Sequence, residues 1–146
     1  MVGKIMGCES LLASYASEIG YDVQMGSNWN TKLMYDGRKY LLVKAASVSE
    51  KVGESRGRIT FEVSFIALKC CSYSSVVVIS DLWRDLRCDA MKILNMLEMS
   101  GEVLGCSEVA IEPLTKRISN YDEVAVELTA TVVANYRVED GAISIL

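Results

Sequence analysis

Apolar residues recur along this chain with two different periods, and the switch between them sets the expected elements. In residues 5–19, Leu11, Leu12, Tyr15 and Ile19 fall at helical spacing, while Glu9, Ser10, Ser14, Ser17 and Glu18 lie on other faces. That spacing predicts a first helix, with Gly20 as its natural stop. Gly26 to Asn30 then reads as a loop. Leu33-Met34-Tyr35, Asp36-Gly37 and Arg38 to Val43 spell a β-hairpin, because Asp-Gly suits a type I′ turn whose central residues both need positive φ. Ser49 to Arg58 is polar and holds Gly53 and Gly57, as a loop or hairpin tip does. Beyond it, Ile59, Phe61, Val63 and Phe65 alternate with Thr60, Glu62 and Ser64. Period two marks a half-buried strand, and its pairing with residues 38–48 makes a long β-ribbon.

Residues 80–100 carry the strongest helical pattern. Leu82, Leu86, Ala90, Ile93, Leu94 and Leu97 form an apolar stripe. Ser80 reads as the N-cap, Asp81 as a first-turn acid that suits the helix dipole, and Gly101 as the stop. Two more strands follow. Val109 and Ile111 alternate up to Pro113, which cannot donate to a ladder and so favours an edge or a strand end. Val124, Val126, Leu128, Ala130 and Val132 alternate with Glu123, Ala125, Glu127, Thr129 and Thr131, and the turn between the pair falls near Ser119 to Asp122. The expected architecture is one α+β domain spanning residues 1–146, in the order α-β-β-β-α-β-β. Two helices pack on one face of a mostly antiparallel sheet, leaving its other face or an edge for neighbours.

Composition agrees with a folded domain of this size. The 146 residues are 51% hydrophobic and 23% charged, with one proline, which is not the make-up of a disordered chain. A mean hydropathy of +0.23 is high for a small monomer, so either a subunit interface or a well-filled core takes up the excess. Fifteen basic residues are scattered among nineteen acids, for a net charge of −4. Free nucleic acid, which needs clustered Lys and Arg, is therefore not the expected partner. The longest apolar runs, such as Val76 to Ile79, are too short to cross a membrane as a helix, and Met1 to Gly7 do not resemble a signal peptide. Cys8, Cys70, Cys71, Cys88 and Cys106 form no framework spacing, and the expectation is reduced thiols.

Candidate chemistry is sparse. The chain has no histidine, which removes the usual general base and the commonest metal ligand, though not carboxylate or lysine chemistry. Vicinal Cys70-Cys71 would point to opposite faces of a strand and reads as small apolar filling. Asp81, Asp85 and Asp89 recur every four residues with Arg84, Arg87 and Lys92 between them, a solvated and self-compensating helix face. No phosphate-binding glycine loop or nucleophile elbow is present. The expectation is no catalytic residue, no metal and no cofactor.

What remains points to contact with other proteins. Lys51, Glu54, Arg56 and Arg58 are either a solvated tip or an arm that pairs charges with a neighbouring subunit. Trp83 is either a cap on the core or an interface anchor, and Trp29, in its polar loop, leans towards contact. The apolar tail with Ile143 and Ile145 needs a place on its own sheet or on a neighbour's.

The second half, SDLWRDLRCDAMKILNMLEMSG followed by VAIEPLTKRISNYDEVAVELTATVV, sits behind an N-terminal helix and a long ribbon. Over roughly residues 5–135 this order resembles the tail-terminator and tail-completion proteins of tailed bacteriophages, and the small ring proteins between head and tail. The resemblance implies a structural virion subunit made in the host cytoplasm. It would form a homo-oligomeric ring, commonly sixfold, between the tail tube and the neck or connector, with DNA only as passing cargo and no membrane. Subunit contacts in that family are made by the ribbon and the sheet edges. The alternative is a small cellular binding or adaptor domain that uses its sheet for a peptide or small ligand. An enzyme with a pocket at a subunit junction is the third reading.

Overall fold

Two long strands form the spine of the molecule. In the computed structural model, Arg58–Cys70 (β5) pairs antiparallel along its whole length with Glu123–Glu139 (β7). The remaining elements are Ile5–Met6 (β1), Cys8–Glu18 (α1), Asp22–Met25 (β2), Lys39–Val43 (β3), Ser47–Val48 (β4), Val76–Met99 (α2), Gly105–Pro113 (β6) and Ala142–Ile145 (β8). The structure describes residues 5–6, 8–25, 39–44, 47–48, 58–70, 76–101, 103–114, 123–139 and 142–145. The strands join in the order β1-β8-β7-β5-β3-β2, with β4 also on β5 and β6 also on β7. Most pairings are antiparallel, as expected; β1 with β8 and β2 with β3 are parallel. The α+β class, the order of the principal elements and the β-ribbon all hold, with β3 and β4 both antiparallel to β5.

Both helices lie on one face of this sheet. Leu12 and Ala16 of α1 and Leu86, Ala90, Ile93, Leu94 and Leu97 of α2 share one core with Leu41, Val43, Phe61, Val63, Phe65 and Ala67. The alternating residues of β7 from Val124 to Ala134 complete it. Period-two patterning puts those positions on one side of the pleat, and the helical stripes close over them. The far face divides in two. One end buries Tyr40, Leu42, Ile66, Leu68 and Ala125, with Leu114 packed beside them. The other end is polar, with Ser64 opposite Thr129 and Glu62 opposite Thr131. A wholly exposed second face is therefore not what the structure has.

Several boundaries move. The first helix begins at Cys8, not at residue 5, because Ile5 and Met6 pair with Ile143 and Ser144 of β8. The second helix begins at Val76, so Ser80 lies inside it and Asp81 is outside the first turn. β-Branched residues cost a helix only tenths of a kcal/mol each (~0.5). Ile79 offsets that by packing on the core. Leu33 to Arg38 of the expected hairpin lie outside the described residues. From Tyr40 onward, the edge of β3 away from β5 is taken by β2, a strand too short and mixed to read in advance. The expected turn at Ser119 to Asp122 is likewise outside the described residues.

Candidate assembly surfaces

The placement of α2 starts at the end of α1. Gly20, with φ of +90°, closes that helix. The Gly20 N–H donates to the Ser17 carbonyl at 3.1 Å and the Tyr21 N–H to the Ala16 carbonyl at 3.0 Å. These two bonds are those of a Schellman cap. The cap delivers Tyr21 into the core, where it is 3% exposed, and its hydroxyl donates to Asp89 Oδ2 of α2 at 2.7 Å. Lys39 of β3 donates to the same oxygen at 3.0 Å, its ammonium 5.7 Å from the centre of the Tyr21 ring. Burial raises the Tyr21 pKa well above the tyrosine norm, and the carboxylates of Asp89 and Asp85 add to the shift. A phenol held this firmly neutral is not an acid–base group at ordinary pH. Its part is to clip α2 to the β2–β3 side of the sheet.

That clip revises the reading of the second helix's charges. Asp81 does pair along the helix with Arg84, at 2.7 Å. Asp89 instead turns inward to Tyr21 and Lys39. Arg87, Cys88, Met91, Lys92 and Asn95 face outward and are the described residues that line a groove of about 440 Å³. Exposed Asp85 and Glu98 lie on the same outward side, so its charges are mixed, and Met91 is 45% exposed.

At the rim of the sheet, β6 has β7 as its one strand neighbour among the described residues. Pairing slips between Ser107 and Ala110, where Glu108 takes φ of +51°. Such a bulge twists an edge strand and discourages unintended pairing. It also turns Val109 out to solvent at 40% exposure, against the inward alternation expected of that residue. Ile111, beyond the bulge, packs on the core as expected. Pro113 sits at the strand's end, the position its missing N–H favours. Glu108 accepts from Thr131 Oγ1 at 3.1 Å, and Glu112 stands opposite Glu127, whose partner is Lys44 at 2.7 Å. With exposed Glu62 nearby on β5, this rim and the polar end of the far face are predominantly acidic among the described residues.

Leu104 (51% exposed) and Met99 (78% exposed) flank the approach to β6. A shallow hollow there is lined by Leu104, Gly105, Cys106, Ser107 and Val133. Burial, with a smaller push from Glu98, raises the Cys106 thiol pKa to about 11. A thiol so placed is a poor nucleophile. Among the described residues, no three His, Cys, Asp or Glu side chains are grouped to hold a metal ion, and no helix is long and apolar enough to cross a membrane.

The expected interface residues are spread across these elements. Trp83 is half-buried against the core, with its indole N–H buried and no acceptor among the described residues. Arg58 opens β5, opposite Asn135. Ile143 and Ile145 belong to β8, whose backbone pairs with β7 and β1 of its own sheet, the first of the two placements considered for the tail. Trp29, Lys51, Glu54 and Arg56 lie outside the described residues. Sequence reasoning missed the Tyr21–Asp89–Lys39 clip and the β6 bulge. Neither has a local signature, since the clip joins residues 68 and 50 positions apart.

No protein-family model matches the chain, and comparison with curated proteins gives no significant match.

Proposed function

We propose that this chain is a structural subunit that assembles into a ring at the end of a phage tail or at the head–tail junction, joining tube to neck by protein–protein contacts. The reading is carried by the arrangement of elements: helix, ribbon, long helix and closing strands, with both helices on one face of a mostly antiparallel sheet. This is the order on which the resemblance to tail terminators rests. A sheet with a blunted, exposed rim and a helix layer with exposed Met91 and mixed charges give one copy two unlike surfaces. Unlike surfaces on one subunit generate heterologous contacts, which close into rings when the rotation allows.

The test is made on phage tail tubes grown from purified tube protein with this chain added. Added protein is expected to appear by electron microscopy as a collar at one tube end and to stop further lengthening. Tubes that keep bare ends and continue to grow would rule the proposal out. A monomer that instead retains a small molecule or peptide through purification would favour the adaptor reading.

A further inference from the structure

We draw no further inference here: the strongest candidate, the outer edge of β6 with the shallow hollow of Leu104, Gly105, Cys106, Ser107 and Val133 beside it, carries nothing, because nothing among the described residues shows what covers that edge and a lone thiol makes no ligand site.

Discussion

Tyr21 carries more of this structure than its place in the sequence suggests. It follows the helix-ending glycine, is almost fully buried, and gives its hydroxyl to a carboxylate on a helix 68 positions away. A hydrogen bond to a charged acceptor contributes about 1.5 kcal/mol or more. Tyr21→Phe is therefore expected to lower unfolding free energy by about that amount in urea titration. Alkaline pH should show the same contact. The folded state keeps the Tyr21 proton above the usual value of 10.0, so it binds a proton that the unfolded chain has released. Stability from this group is complete below pH 10.0 and is lost as pH rises beyond it. The parent should lose stability more steeply than Tyr21→Phe over that range, and equal slopes would remove the phenol from the account. None of this was legible beforehand. Asp89 shares the four-residue spacing of Asp81 and Asp85, and spacing alone cannot tell a solvated carboxylate from one turned inward.

Elements were legible where burial is one-sided and failed where it is not. The alternation read in β5 up to Phe65 and in β7 up to Val132 holds, with Phe61, Val63 and Phe65 and the alternating residues from Val124 to Val132 buried under the helices. Val63→Asp or Leu86→Asp would place an unpaired charge in that core at a cost of several kcal/mol. Each should abolish the cooperative unfolding transition in circular dichroism, and parent-like melting would contradict the assigned core. The start of α2 was read too late, because a Val-Val-Val-Ile run has no helical signature of its own. β2 was missed because four residues pairing along one edge need no period. At the end of α1 the local grammar is sufficient. Gly20 holds a left-handed φ with nothing within 4 Å of an added Cβ. Gly20→Ala should therefore cost about 1 kcal/mol from backbone strain alone.

On the scale of the whole molecule, the two layers leave two surfaces of different character. The helix layer shows a methionine-bearing groove with mixed charges around it, and the strand layer shows an acidic rim kinked by a bulge. High hydropathy left either a subunit interface or a well-filled core to take up the excess. Burial on both faces of the sheet, including Tyr40, Leu42, Ile66 and Leu68 on the side away from the helices, fits the well-filled core. The residues favoured from sequence as contacts followed composition: tryptophans, a charged tip and a greasy tail. The surfaces that the fold leaves open follow geometry, namely what an outward helix stripe and a strand edge with no partner among the described residues present. A bulge at Glu108 and Val109 has no sequence signal when a strand reads as alternating.

The mass of the purified chain in solution bears most directly on whether those surfaces serve sister copies. Native mass spectrometry over a range of concentrations is expected to give one closed species, an integer multiple of 16.1 kDa greater than two, at the expense of the monomer. A particle of 16.1 kDa at every concentration, or an open-ended ladder with no preferred size, would contradict the account.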